Sequence, residues 1–330
     1  MQRRSPTVRG ARRAPYIPRV RSSKALRTAA LLVVAAGAAA PLVRRRLGLR
    51  PPVVIAAAGA APVALCVARP RTWRRDVGMC ALQMWAYIAA YEMPNDDPDE
   101  LRLRVRVDYP ARVDRALGLG ATPTQRLQHL FAQPGHIRRH QKPLVWAHWL
   151  WFLIPHGTVA YVLAFHRDRF PRAAAQTYAV FDHGVIAYWC VPTAPPWYAA
   201  QEGRLGNAQF PAVRRMMIEY GEEFWKSGWQ PLYSFLAGNP LAAMPSLHFA
   251  TSVMAAHVLA DTGPVAGAVG WTYALTLGLA LVYLGEHYLV DLLAGLALTE
   301  GIRRATPRVA PLFGAFSHAV QRLELRAQAA

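Results

Sequence analysis

The chain is short of charge, and the charge it carries is lopsided. Asp, Glu, Lys and Arg make up 17% of its 330 residues, against about 25% in a typical soluble domain. The deficit falls in long apolar stretches, the pattern of a membrane-inserted chain, and hydrophobic residues reach 53%. Acidic side chains are the scarcest, 19 against 38 basic ones, for a formal net charge of +19. The basic residues sit mostly in the N-terminal region and in short linkers between apolar runs. That placement suits anionic lipid headgroups as partners, and it argues against a nucleic-acid binder, which needs its basic patch on a soluble fold. Cysteine is scarce too. Cys66, Cys80 and Cys190 each lie in or near an apolar run with no C-x-x-C spacing, so neither a disulfide nor a zinc site is expected.

Eight apolar segments are present: Thr28–Val43, Pro52–Ala68, Val77–Met93, Leu144–Phe165, Ala173–Val191, Met244–Ala260, Val265–Leu284 and His287–Ile302. The fourth is the strongest span, and the shortest need flanking residues to cross about 30 Å of hydrocarbon. Residues 1–27, rich in Arg and Pro, precede too many apolar runs to be a cleaved signal. They read as a disordered cytoplasmic tail. The linkers Arg69–Asp76, His166–Arg172 and Arg303–Arg308 are basic and fall on one face, which the positive-inside rule makes the cytoplasmic one. The basic loop Arg44–Arg50 falls on the other face, against the trend. The expected organisation is an N-terminal transmembrane pair (28–75), a membrane domain (76–302) with long outer segments at 94–143 and 192–239, and a cytoplasmic tail (303–330). Within the first outer segment, the alternation Leu101–Val107 predicts a short strand or an interfacial stretch. In the second, Phe210–Trp225 has the spacing of an amphipathic interfacial helix.

Chemistry concentrates in two places, both at predicted outer ends of spans. In VYLGEHYLVDLLAG (Val282–Gly295), His287 and Asp291 are spaced to share one helix face. A carboxylate inside an apolar run is costly unless paired. Bonded to one ring nitrogen, it fixes the histidine tautomer and leaves the other nitrogen as nucleophile or base. A purely structural His–Asp clip is the competing reading. In AAMPSLHFA (Ala242–Ala250), Pro245 suits the start of a helix. Ser246 and nearby free N–H groups suit an anion, and His248 lies at the depth of His287, fit to protonate a leaving oxygen.

Together, PSLH at Pro245–His248 and HYLVD at His287–Asp291 resemble the second and third motifs of the type 2 phosphatidic acid phosphatase superfamily. The closer resemblance is to the branch containing fungal inositol phosphorylceramide synthase, which also has proline-rich text after an earlier span, here PTAPPWY (Pro192–Tyr198). The resemblance covers roughly Leu144 to Gly301. It implies an all-α polytopic membrane bundle with a six-helix core, to which about two N-terminal helices are added here. It also implies a phosphohistidine mechanism that uses neither metal nor cofactor, with His287 as nucleophile, Asp291 orienting it, His248 as acid and Ser246 as a phosphate donor. The expected partners are a membrane phospholipid or other lipid phosphate and a lipid alcohol acceptor, at a cell membrane with the site on the extracytoplasmic face.

Two departures stand out. The usual first motif, a lysine followed after six residues by Arg-Pro, is absent. So is the Ser-Arg pair ahead of the nucleophile, where Ala280 and Leu281 stand. The phosphate clamp must then come from other basic residues: Arg204, Arg214, Arg215 or Lys226 in one outer segment, Arg138, Arg139 or Lys142 in the other, where His136 and His140 also lie close to the next span. Arg214 and Arg215 are preferred because they fall in the amphipathic stretch, with Arg204 beside them. Three functions remain open. These are a lipid phosphotransferase moving a phosphate-linked head group such as phosphoinositol between lipids, a lipid phosphatase, and a transporter or scaffold in which Asp291, Asp182 and His183 line a polar path.

Overall fold

The computed structural model describes residues 20–133, 137–206, 210, 212–236 and 238–329. The expected basic tail lies outside these as far as residue 19, and His136 lies outside them as well. The chain is all-α. Among the described residues, extended pairing is limited to isolated bridges of Thr193 with Arg106 and with Ala242.

Two helices, α1 (Val20–Leu47) and α2 (Pro51–Ala68), open the chain as a packed pair. Prolines begin α2, where a missing N–H costs nothing. The next helix, α3 (Trp73–Glu92), starts at Thr72, whose hydroxyl accepts from Arg75 N. The first outer segment is folded into three short helices, α4 (Pro98–Arg104), α5 (Asp108–Leu117) and α6 (Pro123–Phe131). The alternating stretch Leu101–Val107 is therefore mostly helix. Asp97 caps it, Pro98 occupies its first turn with Asp99 and Glu100, and these local signals outweigh an alternation too short to pair.

The strongest predicted span is broken. It forms α7 (Lys142–Trp149) and α8 (Leu153–Phe165), with an irregular step at residues 150–152. After α9 (Phe170–Cys190) come α10 (Pro196–Gln201), α11 (Met216–Trp225) and α12 (Trp229–Leu236) in the second outer segment. The amphipathic helix is thus shorter than expected, and Arg214 and Arg215 precede it. The chain ends with α13 (Leu247–Ala260), α14 (Pro264–Tyr283) and α15 (Leu289–Gln328). The last is a single helix of 40 residues. The segment 303–330, read as a tail, is helical through residue 328, and Ala327 is buried with Ala30, Val67 and Ala68.

Ser23–Leu47, Pro51–Ala68 and Pro264–Tyr283 are long and apolar enough to cross a membrane, and Leu153–Phe165 and Leu247–Ala260 are shorter apolar helices. Helix α13 is the hub, packed on α8, α9, α14 and α15, while α9 also touches α3. Helix association in lipid relies on close packing of small residues. Ala250, Ala255 and Ala256 on α13 are accordingly buried to 1% exposure or less.

The three basic linkers meet at one end of the bundle. Arg167 lies 3.6 Å from Asp76, Gln176 donates to Thr306 at 3.2 Å, and Arg75 pairs with Glu324 at 2.6 Å. At the other end the exceptional loop finds its acids: Arg44 and Arg45 pair with Asp96 at 2.8 and 2.6 Å. Inside the bundle, both carboxylate oxygens of Asp182 accept from Gln83 on α3, at 3.0 and 2.9 Å, while exposed His183 bonds Ala179 O.

Candidate active site

The turn between α14 and α15 carries His287. It reverses at Gly285, whose φ of +84° is strained for any side-chain-bearing residue. The N–H groups of Glu286 and His287 both donate to Leu281 O, each at 3.1 Å. His287 therefore lies in the turn, ahead of the helix, and the expected shared helix face is replaced by an N-terminal cap. Asp291, in the first turn of α15, folds its carboxylate back. Oδ2 accepts from Tyr288 N at 2.9 Å and lies 3.2 Å from His287 Nδ1. One oxygen thus satisfies an otherwise orphaned helix N–H and orients the histidine. Asp291 is 0% exposed and His287 4%, and Asp291 Oδ1 is buried without a partner.

The second motif meets this turn directly. Ser246 is the N-cap of α13: its Oγ accepts from Phe249 N at 3.3 Å, and its own N–H donates to Asp291 O at 2.9 Å. Pro245 sits just before the cap, two residues ahead of the first helical residue instead of in the first turn as the sequence predicts, and its carbonyl accepts from Tyr188 OH at 2.8 Å. Gly295 on α15 permits the close approach, because a Cβ there would lie 2.7 Å from Ser246 O. His248, in the first turn of α13, brings Nδ1 within 3.3 Å of His287 Nε2. Asp291, His287 and His248 form one hydrogen-bonded line. With the Nδ1 proton of His287 on the carboxylate, its Nε2 lone pair faces His248.

The broken span explains itself here. Its irregular step sets His148 and Trp151 around His248, with ring centroids at 5.0 Å and 4.1 Å, and Trp151 is held by Thr251 Oγ1 at 2.9 Å. Neither residue carried a sequence signal, since each meets His248 only through the tertiary fold.

The predicted basic residues separate. Arg215 forms a two-pronged ion pair with Glu286, Nε to Oε1 at 3.0 Å and Nη2 to Oε2 at 3.1 Å, so it stands beside the turn that bears His287. It donates to Tyr233 OH at 2.7 Å and stacks 3.9 Å over Trp197. Burial opposes the charge on Arg215, but the Glu286 carboxylate outweighs it and raises the guanidinium above its ordinary range. Arg214 is engaged by Glu219 and by Gln133 O. Its backbone is strapped to the end of α14 by Gln128, which donates to both Arg214 O and Tyr283 O. Arg204 is exposed and pairs with Asp108 at 3.4 Å, at a cavity of about 410 Å³ that Arg102, Arg106, Arg112 and Tyr109 also line. The structure thus brings His287, Asp291, His248 and Ser246 together, with Arg215 next to them, and leaves Arg214 and Arg204 on carboxylates of their own.

Residues 111–303 match the family model described as the PAP2 superfamily. The chain belongs to the PAP2 superfamily. The match takes in every residue of the site and leaves α1 to α4, the start of α5 and the last part of α15 outside it. No curated protein and no solved structure matches the chain. Membership makes this a membrane protein among lipid phosphatases and phosphotransferases.

Proposed function

We propose that the protein is a lipid phosphotransferase that moves a phosphate-linked head group between membrane lipids through a phosphohistidine at His287. The line Asp291–His287–His248 carries this reading. Nε2 of His287 attacks phosphorus, forming an N–P bond as the P–O bond to the leaving alcohol breaks. His248 gives the leaving oxygen its proton. Asp291 stabilises the positive charge that the ring acquires. An acceptor hydroxyl then loses its proton to His248 and attacks phosphorus, and the N–P bond breaks. A phosphoryl group enters by replacing the His287–His248 hydrogen bond.

The free N–H groups at the start of α13, beside Ser246, and the guanidinium of Arg215 are assigned to the phosphate oxygens, where oriented donors act most strongly in a dry site. Arg215 reaches them by exchanging Glu286 for phosphate. Arg214 and Arg204, each held by an acid, are assigned to the loop framework. The near-complete burial of His287 favours transfer over hydrolysis, because a lipid alcohol must outcompete water. The resemblance to the synthase branch makes phosphoinositol the first head group to test. The meeting of three basic linkers at the opposite end supports a multi-pass protein of the cell membrane with its site on the extracytoplasmic face.

The test uses the purified protein in vesicles holding head-group-labelled phosphatidylinositol, with and without a long-chain alcohol acceptor such as ceramide. A labelled lipid that forms only with acceptor supports transfer. Release of the labelled head group alone replaces transfer with hydrolysis. Turnover that survives H287A overturns the mechanism in both forms.

A further inference from the structure

Asp114 belongs to none of the sequence motifs, yet it is fully buried, at 0% exposure, against the catalytic turn. It lies on α5, in the first outer segment. Its Oδ2 accepts from Leu289 N at 2.8 Å and its Oδ1 from Val290 N at 2.9 Å. Those are the first two residues of α15. A helix start leaves its first N–H groups without intrahelical partners, and this one is satisfied by two carboxylates. Asp291 takes Tyr288 N, and Asp114 takes the next two.

This division has a chemical consequence. Without Asp114, the nearest carboxylate for Leu289 and Val290 N–H is that of Asp291, whose Oδ2 already serves His287. With Asp114 in place, that oxygen is left to Tyr288 N and His287 Nδ1. Helix α5 is itself anchored, since Ala111 packs with Ala199, Leu205, Val213 and Tyr288.

We propose that Asp114 is a positioning residue for the reaction: by capping Leu289 and Val290 from another helix, it reserves Asp291 for His287 and fixes the turn that bears the nucleophile. The proposal rests on the reading of His287 as nucleophile. The charged and titratable groups that meet Asp114 are Asp291 in α15 and Tyr288 at its N-cap, and Tyr288 also meets Asp108 and Arg115 on α5 itself. Burial first, then the charge of Asp291, pushes the Asp114 carboxyl up to about 6 against the opposing pull of the two N–H groups. Because this value is raised from the ordinary one near ~4, the proton-bound form favours folding. That contribution is full below about pH 4 and is lost as pH rises through about 6. Capping by two acceptor oxygens runs the other way, being complete only above that value.

Two measurements test this on the full chain. The first is amide hydrogen exchange across residues 285–293, corrected for intrinsic rate, at pH 5 and pH 7. The expected result is protection at least tenfold lower in D114N than in the wild type at both values. Equal protection throughout overturns the proposal. The second is the pH profile of turnover on the lipid used above. D114N should lower kcat at least tenfold with little change in KM, and should remove the acid limb near pH 6. A variant that merely melts earlier while keeping the wild-type limb refutes a positioning role. If H287A still turns over, the nucleophile reading fails, while the exchange result still decides whether Asp114 holds the turn.

Discussion

Replacing Asp291 by asparagine separates the charge of that side chain from its shape. Both groups that Asp291 serves, Tyr288 N and His287 Nδ1, meet the same oxygen, and the other oxygen is buried without a partner. An asparagine must therefore point its carbonyl at the two donors and its NH₂ into the empty position. Both hydrogen bonds survive in neutral form. One unsatisfied buried atom replaces another, so D291N should fold with a Tm close to that of the wild type. What disappears is the charge. A hydrogen bond to an ionised group contributes about 1.5–3 kcal/mol and a neutral one about 0.5–1.5. The difference matters most when phosphorylation makes the His287 ring cationic. A loss of about 1–1.5 kcal/mol in that state corresponds to a kcat lowered about 5–13-fold, with KM little changed. The assay is steady-state turnover of the labelled lipid, alongside a thermal melt. A loss below threefold, with H287A inactive, would refute the view that Asp291 acts through its charge.

Three further outcomes follow from the geometry. At Gly285, alanine meets a positive φ and places its Cβ 2.6 Å from Arg214 O; the backbone alone costs about 1–2 kcal/mol, and G285A should lower both Tm and turnover. R215M leaves Glu286 buried and unpaired, which costs about 3–5 kcal/mol. R215M/E286M should recover most of that stability in a denaturant titration while turnover stays low, and recovered turnover would remove Arg215 from the phosphate.

The parts of the site that were legible in the sequence are those that short-range pattern can express. His287 and Asp291 are close in the chain, PSLH and HYLVD are compact motifs, and the side chains of Asp291, His287 and His248 meet in the structure. The apolar runs announced a helical membrane protein, as the candidate spans show. What stayed hidden depends on distant segments meeting. Asp114 is 175 residues from Leu289, and His148 gains its place only because a continuous apolar run breaks. Hydropathy is blind to such a break, since it averages over the step. Arg214 and Arg215 were misread as helical, because Arg215, with φ −93° and ψ 75°, only precedes α11. The alternation at Leu101–Val107 misled for the opposite reason: a local cap overrode it.

The contact at Gly295 makes the reach between the two histidines a backbone quantity. Their 3.3 Å separation lies at the outer edge of hydrogen-bonding distance, so it tolerates little widening. A methyl group at 295 would act as a wedge between α15 and the start of α13, driving them apart by roughly half an ångström or more. The gauge of the His248–His287 pair is therefore cut further along the helix, at a position with no side chain of its own, and a change there would widen the gap with both histidines still present.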